Sequence, residues 1–113
     1  MSAERRRDVR LRPSPDLPAR ASVAVDALVR EAVEVVDLSA GGLAFARGDS
    51  SLEPGARVEL RLALAGAPER SVAVVVRWRS EQTVGAQFVD LSDDAAQELR
   101  RYLGELLERG ASV

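Results

Sequence analysis

Two clusters in this sequence have residue types and spacing suited to chemistry. The first is Arg5-Arg6-Arg7-Asp8-Val9-Arg10, in which Arg6 and Arg10 form an RxxxR pattern with Arg5 just ahead of it. A guanidinium fork can clamp a phosphate. It can also take the O6/N7 edge of guanine through two parallel hydrogen bonds, a contact worth ~1–3 kcal/mol. A solvated tail that binds phosphates non-specifically has the same composition. The second cluster is Asp37-Leu38-Ser39-Ala40-Gly41-Gly42, a DxSxxG pattern. A carboxylate accepts two N–H bonds from the Watson–Crick edge of guanine. Ser39 offers a hydroxyl to a phosphate or to the backbone. Gly41 and Gly42 permit a turn at positive φ and let a ligand approach the main chain. Asp, Ser and Gly also build an ordinary tight turn, so the motif alone leaves both readings open.

Composition removes most other chemistries. Among 113 residues there is no Cys, His or Lys, so disulfides, thiolate nucleophiles, ordinary zinc sites, imidazole bases and Schiff bases are all excluded. Ser39 has no His or Lys to activate it as a nucleophile. The longest aliphatic run is Val72 to Val76, too short to span a membrane. The first 20 residues are charged and Pro-rich, without the apolar core of a signal peptide. The expected class is a soluble, cytoplasmic domain that is not an enzyme and takes no metal or cofactor. All 16 positive charges are Arg against 18 acidic residues, a net charge of −2.

The elements that must position the two clusters follow from periodicity. Residues 5–12 hold five Arg and one Asp, and Pro13 to Pro18 has three Pro in six residues. Residues 1–18 therefore read as a basic arm on an extended, mobile tether, with a domain over 19–113. Period-two patterns then dominate: 19–28, a weaker alternation over 29–37, a short apolar strand over 43–47, then 57–64, 70–79 and 83–90. In 70–79 the alternation places Val72, Val74, Val76 and Trp78 on one inward face. Ser92 can cap a helix over about 93–109, with Asp93 and Asp94 favourable in its first turn. Leu99, Tyr102, Leu103, Leu106 and Leu107 make one apolar stripe, and Gly110 is a plausible stop. The expected fold is mainly β: a six-stranded antiparallel barrel with a C-terminal helical lid.

RxxxR followed by DxSxxG, in this order within an all-β pattern, resembles the signature of PilZ domains, bacterial receptors for cyclic di-GMP. Val84-Gly85-Ala86-Gln87-Phe88 is similar to the family's closing strand, and the aliphatic strand ending in Trp78 to the strand before it. The likeness runs from about Glu4 to Leu107. It implies that Arg6 and Arg10, with Arg5 adding a contact, hold guanine faces and phosphates of cyclic di-GMP. It implies that Asp37, Ser39, Gly41 and Gly42 hold a guanine and its adjoining phosphate. A ligand with two phosphates would pin the arm across the barrel and expose a surface to an unidentified effector protein, in second-messenger signalling by a monomer or homodimer. The alternative is a PilZ-like protein–protein module that does not bind the nucleotide. A nucleic-acid-binding barrel fits less well, since Phe45, Trp78, Phe88 and Tyr102 all suit core or lid positions and no aromatic is left for base stacking.

Overall fold

Alternating apolar residues need a surface to cover, and six such segments close on one another in this protein. The structure is a computed structural model that describes residues 9–24, 28–46 and 52–109. Its strands are β1 (Ala19–Ala24), β2 (Arg30–Leu38), β3 (Gly42–Ala46), β4 (Arg57–Leu64), β5 (Arg70–Arg79) and β6 (Thr83–Val89). They form a closed antiparallel barrel in the order β1-β2-β3-β6-β5-β4. One helix, α1 (Asp93–Glu108), follows. Strand boundaries agree with the period-two segments to within a residue or two, except that β1 is described only to Ala24. The Arg5 and Arg6 sites and Gly110 lie outside the described residues.

The barrel interior is apolar and mostly aliphatic. Val23, Leu60, Val74, Val76, Val84 and Phe45 are all but inaccessible to solvent. The regular pairings β1–β2, β1–β4 and β4–β5 keep unbroken register, so alternation alone sorts their side chains. Two ladders are interrupted. Between β2 and β3, Val35 faces Phe45 but Asp37 faces Ala44, leaving Val36 as an extra residue. Between β5 and β6, Val76 faces Ala86 but Trp78 faces Gly85, leaving Arg77 as the extra residue. Each bulge reverses the faces beyond it. Leu38 therefore turns into the core and Asp37 turns out of it. Trp78, expected beside Val72, Val74 and Val76 in the core, is instead on the outer face and 39% exposed.

Ser92 caps α1 by accepting a bond from the Ala95 amide at 3.1 Å, with Asp93 and Asp94 in the first turn. Leu99, Tyr102, Leu103 and Leu106 bury against the barrel core, as the stripe predicted. Leu107 does not; it lies at the stripe's edge and is 56% exposed. Glu98 takes a place in the buried face instead. Its carboxylate accepts from Arg70 Nε on β5, and this pairing holds the Arg70 guanidinium above its usual pKa.

The described part of the N-terminal segment is tied to the barrel, where a free extended tether was expected. Leu11 is 1% exposed within the core. Its amide and carbonyl exchange bonds with Leu38 at 2.8 and 2.9 Å. Ser14 to Leu17 forms a tight turn, the Leu17 amide donating to Ser14 O at 3.0 Å. Tyr102 Oη donates to Leu17 O at 2.6 Å, and Pro18 O accepts from Ala65. Apolar burial anchors the segment: Leu11, between Arg10 and Arg12, enters the core at ~2 kcal/mol and Leu17 packs against it, while the backbone bonds add the rest of the hold.

Candidate functional site

The two bulges face each other across the barrel wall. Asp37 pairs with Ala44, Ala44 with Gly85, and Gly85 with Trp78, so one row crosses β2, β3, β6 and β5 on the outer face. Asp37 and Trp78 end the row, and two small residues lie between them. Three strand spacings put those ends ~14 Å apart. A pocket of about 320 Å³ opens over this row, with Arg10, Asp37 and Ser39 on one side and Arg77, Trp78 and Gln87 on the other.

Arg10 reaches the pocket because Leu11 points inward: the neighbouring side chain must point out. Asp37 is only 8% exposed, and no described residue hydrogen-bonds its carboxylate. Buried polar groups are nearly always partnered, so this carboxylate keeps acceptor capacity that opens on the pocket.

Ser39 is occupied by its own turn. Its amide donates to Gly42 O at 2.9 Å, and its Oγ accepts from the amides of Gly41 and Gly42 at 3.3 and 3.2 Å. Of the two roles considered for its hydroxyl, the backbone one is thus filled here. The positive φ expected at Gly41 and Gly42 is absent; among the described glycines it occurs at Gly55 and Gly66. Gly42 is needed for a different reason. A Cβ there would stand 2.1 Å from Ala86 O on β6, so only glycine allows β3 and β6 to pair at this point. Gly41 contributes its carbonyl, which accepts from Phe88 N at 2.9 Å.

Sequence reasoning assigned Trp78 to the core and gave Arg77 and Gln87 no role. The signal for Trp78 lay in Gly85. The indole lies directly on that glycine, where a Cβ would meet Trp78 Cε2 at 2.1 Å. A glycine inside an apolar strand points to a close approach of this kind. Arg77 Nε donates to Gln87 Oε1 at 2.7 Å.

The pocket thus gathers a guanidinium at each side, a buried acceptor and an indole face. Among the described residues no cluster of acidic side chains suits a metal ion. No helix there is long and apolar enough to cross a membrane.

Comparison with curated proteins finds no match. Solved structures do resemble the chain. MrkH of K. pneumoniae, in a complex with c-di-GMP, superposes with a TM-score of 0.78 at 20% identity, over 92% of this chain and 53% of MrkH. The PilZ domain of YcgR from Escherichia coli, with c-di-GMP, gives 0.73 at 15% identity over 94% of each chain. The inhibitor of motility MotI/DgrA from Bacillus subtilis gives 0.69 at 20% identity, over 94% of this chain and 51% of its own. The chain thus spans about half the length of MrkH and of MotI/DgrA. These identities establish a shared fold. The sequence itself matches the PilZ domain over residues 4–105, a span that takes in both arginine and DxSxxG clusters and all six strands, and the chain belongs to the PilZ domain family.

Proposed function

We propose that this chain is a receptor for cyclic di-GMP. One observation carries the reading: the Asp37 carboxylate, buried and without a hydrogen-bond partner among the described residues, opens on the pocket that Arg10 rims. The groups fit the ligand. A guanine presents an N–H pair that a carboxylate accepts, and its O6/N7 edge and the phosphates suit arginine. The PilZ assignment and the c-di-GMP complexes of MrkH and YcgR support the same ligand.

In this reading Asp37 takes the guanine edge, and Arg10 takes a phosphate or the opposite guanine edge. Ser39 and Gly42 hold Asp37 in place through their turn, with Gly41 beside them. Arg5 and Arg6 add contacts as the segment that carries them closes over the ligand. That closure changes the surface offered to an effector protein, and the protein works as an adaptor rather than as an enzyme. Ordering the segment costs entropy, which charge-assisted contacts must exceed.

The test is a calorimetric titration of the purified chain with cyclic di-GMP, GTP and cyclic AMP. Saturable binding of cyclic di-GMP, with the other two much weaker, is expected. Arg10→Ala should lose about tenfold or more in affinity with an unchanged melting temperature, because its contacts form only in the complex. Its salt dependence should be shallower than that of wild type. A flat wild-type titration at high micromolar nucleotide would leave the nucleotide-free interaction module as the function.

A further inference from the structure

In a regular strand, neighbouring side chains point to opposite faces, so Arg77 and Trp78 should not line one pocket. The β5 bulge puts both there. On β6, Gly85 and Gln87 are outer-face positions two residues apart. Trp78 lies on the first, and Arg77 is bonded to the second. The bond uses Nε alone, and no described residue bonds the two terminal guanidinium nitrogens. Gln87 is neutral, so the tie orients the fork without cancelling its charge. The result is an oriented pair of donors beside a partly exposed indole, at the end of the pocket opposite Asp37.

We propose that Arg77, oriented by Gln87, is a base-reading residue: it donates to the O6/N7 edge of a guanine of the bound ligand stacked towards Trp78. This inference rests on the cyclic di-GMP reading and extends it. Cyclic di-GMP has two guanines, and in that reading Asp37 and Arg10 account for one end of the site. Stacking on an indole accepts any base, whereas a guanidinium fork prefers guanine, because adenine places a donor amino group where guanine has O6. The pair would therefore supply both a platform and selectivity.

The experiment is a set of cyclic di-GMP titrations followed by the fluorescence of Trp78, the chain's only tryptophan, and by calorimetry. Arg77→Ala and Arg77→Lys are compared with wild type, alongside thermal melts. Arg77→Ala should bind about tenfold more weakly with an unchanged melting temperature. Arg77→Lys should be as weak, because an ammonium keeps the charge but loses the fork. Gln87→Ala should fall between wild type and Arg77→Ala. If wild type binds and Arg77→Ala binds equally well, base reading by Arg77 is overturned while the receptor function stands. Rescue by Arg77→Lys also overturns it, reducing the contact to simple charge. If wild type does not bind, both readings fail together.

Discussion

The β1–β4 side of the barrel and the β2–β3–β6–β5 side are built from the same kind of sequence and behave differently. On the first side every ladder keeps its register. Apolar residues point in, and Arg20, Arg57, Glu59 and Arg61 point out. On the second side two single-residue bulges, at Val36 and Arg77, reverse the pattern. A regular strand spends every second residue on the core. A bulge frees one residue from that rule, and here it turns Asp37 and Trp78 to the outside and sets Arg77 beside Trp78. The pocket thus owes Asp37, Trp78 and the placing of Arg77 to the two points where the barrel departs from regularity.

The largest expected effect comes from filling the closest approach on the bulged side. Gly42→Ala drives a Cβ against Ala86 O, a backbone atom with nowhere to go. It should cost ~3 kcal/mol, at the upper end of overpacking. The same substitution on the helix, at Gly104, meets nothing within 4 Å. Gly104→Ala should stabilise by ~0.5–1 kcal/mol. Paired thermal melts read both signs. Equal, small effects would mean that β3 and β6 have room to separate and that the contrast between the two sides is weaker than drawn.

Next is Leu11→Ala, which asks whether the segment before β1 is part of the bulged wall. A core leucine truncated to alanine at this edge of the barrel should cost ~2 kcal/mol, the low end for such a truncation. In denaturant unfolding, a loss near zero would show the segment to be a free arm and would detach Arg10 from the pocket rim. A large loss accompanied by weaker cyclic di-GMP binding would join the two.

The smallest effect belongs to the helix side and depends on pH. Burial pushes the Tyr102 phenol up from 10.0 to about 12. The folded protein keeps that proton where the unfolded chain releases it. Its contribution is therefore whole below pH 10 and is lost as the pH rises towards 12. Tyr102→Phe loses the bond to Leu17, ~1 kcal/mol at neutral pH. Its melting temperature should then fall less steeply than that of wild type over this alkaline range. Parallel slopes would place the alkaline-sensitive group elsewhere.

The cap at Ser92, the helix stripe from Leu99 to Leu106, and the strands over 57–64 and 70–79 were legible in the sequence. Each is a local pattern whose period reports its own burial. The DxSxxG residues were legible as a group, because the Ser39–Gly42 turn closes within four residues. Leu107 was misplaced because a stripe's edge depends on what covers it, and the barrel stops short of that residue. The bulges were not legible. An extra residue in one strand has meaning only against a partner strand, and β2 and β5 find theirs across the closed barrel. Val76 and Trp78 alternate perfectly in the sequence, yet they face opposite ways because Ala86 and Gly85 are adjacent opposite them. Leu11 was read with its charged neighbours and could not announce its place in the core, since Leu38 turns inward only after the Val36 bulge. Sequence alone determined the elements, their polarity and the turn that holds Asp37. Register between distant strands, which only the closed barrel sets, decided which side chains meet at the pocket.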